Sequence, residues 1–109
     1  MNTISRRSVM LGLSAIATLP AVAARAATDH AVAIQGMKFV PDDLSVAVGD
    51  TVTFTNMDSA PHTGTAKDGS FETGKLSKGK SGTVTISAAG DHAYFCKVHP
   101  NMKGVIRAA

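Results

Sequence analysis

The residues best suited to chemistry in this chain lie in one short segment and at one point upstream of it. The run Tyr94-Phe95-Cys96-Lys97-Val98-His99-Pro100-Asn101-Met102 sets a thiol, an imidazole and a thioether at regular offsets, C-x-x-H-x-x-M, and His62 follows Pro61 well before it. Two imidazoles, one thiolate and one weak thioether match the trigonal His₂Cys set with a long axial Met that suits a copper ion cycling between Cu(II) and Cu(I). Thiolate and thioether are soft and favour Cu(I), while imidazole serves both oxidation states. A near-trigonal arrangement lies between their separate geometric preferences, so an electron can come and go with little atomic movement. Zinc is the rival ion, but a structural zinc site takes four Cys or His donors and a thioether serves it poorly, so Met102 counts against it. Cys96 is the single cysteine and cannot form an intramolecular disulfide, which leaves metal ligation or simple burial to explain it.

The elements that must position these groups read as strands. Leu44, Val46 and Val48 alternate up to the Gly49-Asp50 turn, and Val52 and Phe54 continue against Thr51, Thr53 and Thr55, so residues 44–56 are expected to form a hairpin. Further strands are expected at 31–36, 37–40, 62–66, 81–87, 92–96 and 103–108, with Thr83-Val84-Thr85-Ile86 the most β-branched of them. No window holds a helical period. About eight short strands at this spacing predict an all-β fold, an antiparallel Greek-key β-sandwich. Residues 67–80, rich in Gly, Lys and Ser, read as loop with at most one short edge strand.

The first 26 residues have the layout of an address. Arg6 and Arg7 precede an apolar run from Val9 to about Ala24, and Ala24-Arg25-Ala26 offers a small-residue cleavage site. Ser5-Arg6-Arg7-Ser8-Val9-Met10-Leu11 resembles a twin-arginine export signal, so the expectation is a signal peptide at 1–26, a single domain at 27–109 and a periplasmic location. Ser14, Thr18 and Pro20 interrupt the apolar run, which argues against a permanent membrane anchor. Cleavage one residue later would expose Thr28-Asp29-His30 as a terminal Cu(II) site, but it would put Arg25 in the small-residue slot.

The net charge of +3 resides in this leader; in residues 27–109 seven Lys and one Arg balance seven Asp and one Glu. Nothing basic remains to recruit nucleic acid, and no cluster interleaves Lys or Arg with aromatics. A domain of this size has a thin core and gains from a staple, which a metal on Cys96 would supply.

Three separated segments together resemble the cupredoxins, specifically the amicyanin- and plastocyanin-like small blue copper proteins. They are the stretch from Lys38 to Asn56 with its Val48-Gly49-Asp50 turn, Ala60-Pro61-His62-Thr63, and the run from Ala89 to Arg107 with its short ligand loop. The resemblance covers about Met37 to Ile106. It implies an eight-stranded Greek-key sandwich and one type 1 copper on His62, Cys96, His99 and Met102. It also implies electron transfer through the edge of His99 to redox partner proteins that dock there. The chain departs from the pattern at Thr63, where many cupredoxins carry Asn to fasten the ligand loop, and the hydrogen bonding around the Cys sulfur is one of the tuners of potential.

These observations give a monomeric periplasmic carrier of single electrons that is not an enzyme on its own. A copper-delivering carrier or chaperone is the alternative. An enzymatic copper protein fits less well, because one four-ligand site leaves no open position for substrate. His92 and His30 are expected to stand outside the site, and Met57, Pro61 and Pro100 to form an apolar rim around His99.

Overall fold

Strict alternation in residues 51–56 shows how the chain builds its layers. Val52, Phe54 and Asn56 are buried while Thr51, Thr53 and Thr55 are half-exposed, so this strand has one face in the core and one toward water. The outward hydroxyls pair across to the next strand, Thr53 Oγ1 with Thr83 Oγ1 at 2.9 Å and Thr55 Oγ1 with Ser81 Oγ at 2.8 Å.

The computed structural model describes residues 26–109; the expected leader lies outside the described residues except for Ala26. Eight strands follow in order: β1 (Asp29–Ile34), β2 (Phe39–Val40), β3 (Asp43–Val46), β4 (Thr51–Asn56), β5 (Thr65–Ala66), β6 (Ser81–Thr85), β7 (Gly90–Phe95) and β8 (Lys103–Ala108). One sheet has the order β2-β1-β4-β6 and the other β3-β8-β7-β5. The described residues are all-β, as expected, and no helix among them is long and apolar enough to cross a membrane.

Two expectations need correction. The sheets are mixed and not wholly antiparallel: β1 runs parallel to β4, and β3 parallel to β8. The expected hairpin over 44–56 is a corner between sheets, since β3 pairs with β8 while β4 pairs with β1 and β6. The cause is Asp50, 1 % exposed, whose carboxylate accepts the N–H groups of Thr28 and Ala47 and contacts His30 Nε2 at 2.9 Å. Those bonds fasten the turn to the start of β1, and Gly49 takes the positive φ of 97° that redirects the chain. Alternation reports which face of a strand is buried, and both arms of the corner bury theirs between the sheets.

Between the layers lie Val32, Ile34, Phe39, Val52, Phe54, Tyr94 and Ile106. The Tyr94 ring meets Phe39 edge-on at 4.7 Å and Phe54 at 5.4 Å, the favoured aromatic geometry. It lies over Gly104, its register partner on β8, so closely that a Cβ there would collide with it. This packing fixes β7 two residues before Cys96, and hence the end of the strand that delivers the thiol.

Candidate metal centre

The loop from β7 to β8 closes on itself before either strand has diverged. Met102 N–H donates to the His99 carbonyl at 2.9 Å and Cys96 N–H to the Met102 carbonyl at 3.2 Å, so Cys96, His99 and Met102 are held in one tight turn. His62 arrives from the facing segment, paired with Leu76 by two backbone hydrogen bonds. His62 and Cys96 are fully buried, Met102 is 4 % exposed, and His99 is half-buried.

Three donor atoms converge: Cys96 Sγ lies 3.7 Å from His62 Nδ1 and 4.0 Å from His99 Nδ1, and the two nitrogens are 3.2 Å apart. The point equidistant from all three corners of that triangle is about 2.1 Å from each, which is the length of a metal–nitrogen or metal–sulfur bond, about 2.0–2.3 Å. A trigonal ion therefore fits without moving any donor. Met102 stands in the same loop, buried and tied through its backbone to both Cys96 and His99.

The protonation pattern agrees with this fit. Asp58 Oδ2 lies 3.0 Å from His62 Nε2, and the N–H groups of Met37 and Gly36, with His62 adding to them, hold the Asp58 carboxyl below its ordinary value. A carboxylate can only accept, so Nε2 carries a proton, and Nδ1 is the nitrogen turned toward Cys96 and His99. A carboxylate behind a ligating imidazole is the usual means of fixing its tautomer and orientation. Asp58 was not singled out in the sequence; its place four residues before His62 is the only signal it leaves.

Cys96 Sγ accepts a hydrogen bond from the Thr63 N–H at 3.3 Å. The Thr63 hydroxyl accepts the Lys97 N–H at 2.9 Å. The departure from Asn thus still fastens the ligand loop, with a shorter side chain.

The remaining histidines stand apart. His92 is buried, with Nδ1 2.7 Å from Asp68 and Nε2 2.7 Å from the Ala88 carbonyl, so both ring nitrogens are engaged away from the donor cluster. His30 contacts Asp50 in the corner. Among the described residues, His62, Cys96 and His99 form the one cluster of three such donors.

A two-layer β-sandwich with a Cys-His-His triangle at one end of its strands defines a class, the cupredoxin fold. Residues 8–108 match the family model of the Cupredoxin-like domain, and the chain belongs to that family. Nearer relatives are amicyanins: it is 32 % identical to the amicyanin of Paracoccus denitrificans over 83 % of this chain and 76 % of the relative. It is 30 % identical to the amicyanin-alpha of Methylorubrum extorquens over 97 % of this chain and 98 % of the relative. Among solved structures, the Cu(I) form of an amicyanin point mutant superposes with a TM-score of 0.70 at 32 % identity, covering 80 % of this chain and 88 % of that one. A purple cupredoxin from Nitrosopumilus maritimus gives 0.67 at 26 % identity over 74 % and 100 %. The protein is an amicyanin-like member of the blue copper proteins, with a candidate site for one type 1 copper.

Proposed function

We propose that the chain is a periplasmic one-electron carrier in which His62, Cys96 and His99 would hold one copper strongly and Met102 would be its weak fourth donor. The observation that carries this reading is the donor triangle, whose centre stands one metal–ligand bond length from a thiolate and two imidazoles. Copper there supplies reversible Cu(II)/Cu(I) chemistry.

The chain's own residues supply the rest. Asp58 fixes the tautomer of His62, and Thr63 N–H stabilises the negative charge on Cys96 Sγ. Full burial of Cys96 and His62 keeps water and competing thiols from the donors, which favours a carrier over a protein that delivers its metal, and leaves no position for a substrate. His99, the half-buried donor, is the exit for the electron. Val98 and Pro100 flank it in the chain, both exposed, and they offer an apolar surface to a redox partner.

The twin-arginine-like Arg6-Arg7 segment supports export. The optical spectrum of the copper-loaded protein tests the site: an intense thiolate-to-Cu(II) band that bleaches and returns on reduction and reoxidation supports the carrier. A colourless Cu(II) complex that loses its metal to a mild chelator supports delivery instead. Replacing Arg6 and Arg7 together by Lys should leave precursor in the cytoplasm; normal export of that variant would remove the twin-arginine assignment.

A further inference from the structure

Thr63 is held by more than its own loop. Its hydroxyl lies 2.9 Å from Thr65 Oγ1, and Thr65 Oγ1 lies 2.9 Å from Glu72 Oε1. Glu72 also accepts the Gly74 N–H at 2.8 Å and meets the Lys97 ammonium at 3.1 Å. Burial alone would raise the Glu72 carboxyl, but the Gly74 N–H, Thr65 and Lys97 together hold it below its ordinary value.

The proton directions in this chain are determined. A carboxylate can only accept, so the single Thr65 proton goes to Glu72; Thr65 must then accept from Thr63, and Thr63, its proton given away, accepts from the Lys97 N–H. Every hydrogen bond points toward Glu72, the arrangement in which successive bonds polarise one another. Thr63 and Thr65 are 4 % and 8 % exposed, so water does not compete with the central link.

We infer that Glu72 is a positioning residue for Cys96, acting through the hydroxyls of Thr65 and Thr63 on the backbone amide of Lys97. Thr63 grips the strand end twice: its side chain holds the amide that follows Cys96, while its own N–H donates to the Cys96 sulfur. An Asn in its place would carry a donor and an acceptor on a rigid amide. A hydroxyl has one rotatable proton and needs a second acceptor to fix it, which Thr65 and Glu72 provide. The antiparallel bridge between Thr65 and Glu72 sets the two opposite each other. The consequence for potential rests on the copper reading above; the mechanical clamp does not.

The test combines amide hydrogen exchange at Lys97, read by NMR on the metal-free and Cu(I) forms, with the reduction potential and thiolate band of the copper-loaded protein. Glu72→Ala should speed Lys97 exchange by about tenfold, the equivalent of one lost hydrogen bond. It should also shift the Cu(II)/Cu(I) equilibrium severalfold toward Cu(II), because the sulfur loses a well-aligned donor. Neither effect should appear when Glu72→Ala is added to Thr63→Val, and Thr63→Ser and Thr65→Ser, which keep the hydroxyls, should retain wild-type protection. Lys97→Met removes the ion pair but keeps the N–H, so it should retain protection too. The inference is overturned if Glu72→Ala leaves Lys97 exchange unchanged, if its effect adds in full to that of Thr63→Val, or if Lys97→Met reproduces it. A wild type without a thiolate band would defeat the copper reading alone, with the exchange data still judging the clamp.

Discussion

His62 and His92 are both buried, and both face a carboxylate, yet they sit toward opposite ends of the sandwich with different hydrogen-bond partners. At His92 the two ring nitrogens each meet an oxygen acceptor, Asp68 and the Ala88 carbonyl, so both are engaged by the protein, and those contacts favour the protonated ring. At His62 the carboxylate occupies Nε2 only, and Nδ1 is turned toward Cys96 and His99. One acceptor too many makes a structural histidine. One acceptor on the far side makes a ligand. The residue type is the same; what differs is whether the fold leaves one nitrogen facing other donors.

The sharpest way to break this contrast is to remove the soft donor. Cys96→Ser replaces a polarisable thiolate with a hard hydroxyl, so the charge-transfer band should vanish and copper affinity should collapse. His92→Gln, by contrast, should keep full colour. A Cys96→Ser protein that stays blue would sink the site. Because copper binds only the folded chain, removing it should also lower the melting temperature of the wild type, and Cys96→Ser should lose most of that difference.

The second largest effect belongs to the end remote from the metal. Asp50→Ala leaves the Thr28 and Ala47 N–H groups and His30 without their carboxylate, and unsatisfied buried donors cost on the order of 2 kcal/mol in total. Chemical denaturation of the metal-free protein should show that loss, while the reduction potential of the copper form stays at the wild-type value. A potential that moved with Asp50 would mean that the two ends are coupled through the sheets.

The His92–Asp68 pair predicts a pH signature. The Ala88 carbonyl, and after it Asp68, raise the His92 pKa above its ordinary value, so its contribution is fully present below about pH 6.5 and is lost as pH rises through the raised folded value. The Ser70 hydroxyl, and after it His92, lower the Asp68 carboxyl to about 2. Its contribution is present above about pH 4 and is lost as pH falls through 2. The stability difference between wild type and His92→Gln should therefore be greatest between about pH 4 and 6.5 and shrink on both flanks. A difference that is flat across this range would mean that the pair is not ionised as described. The potential should not follow this profile, since four residues of extended strand place His92 about 13 Å along β7 from Cys96.

The same contrast explains how much was legible in the sequence. Strand positions were, because alternation is local: residues 103–108 were expected as a strand and form β8. The meeting of Cys96 and His99 was legible for the same reason, since a short loop leaves its side chains few ways to point. Partner choice was not, because the parallel pairings of β1 with β4 and of β3 with β8 join segments whose alternation says nothing about neighbours. The strand expected at 62–66 shrank to Thr65–Ala66. Its first N–H groups are taken elsewhere: His62 bonds Leu76, Thr63 bonds the Cys96 sulfur, and Gly64 bonds Thr73 Oγ1. Thr65 and Glu72 left no sequence signal of their roles, and Asp58 only its spacing from His62, since each works only where a turn brings it to its partner.

The smallest expected effect concerns Met102, the member of the set whose role depends least on the donor triangle. A thioether on the axis stabilises Cu(II) slightly relative to Cu(I), so Met102→Leu should keep copper and colour but raise the reduction potential. Met102→Gln should lower it, because an amide oxygen is a harder donor that favours Cu(II). Packing alone predicts something else. Met102 is buried, and a volume-conserving change to Leu in a core costs less than about 1.5 kcal/mol with no redox consequence. The loop backbone should survive either change, since the bonds that close it, Met102 N–H to His99 and Cys96 N–H to the Met102 carbonyl, involve no side chain of residue 102. Three midpoint potentials measured in one buffer decide the matter. The order Gln, Met, Leu from low to high marks Met102 as an axial donor, whereas equal potentials with unchanged spectra make it a core residue and leave the triangle of His62, Cys96 and His99 to hold the ion alone.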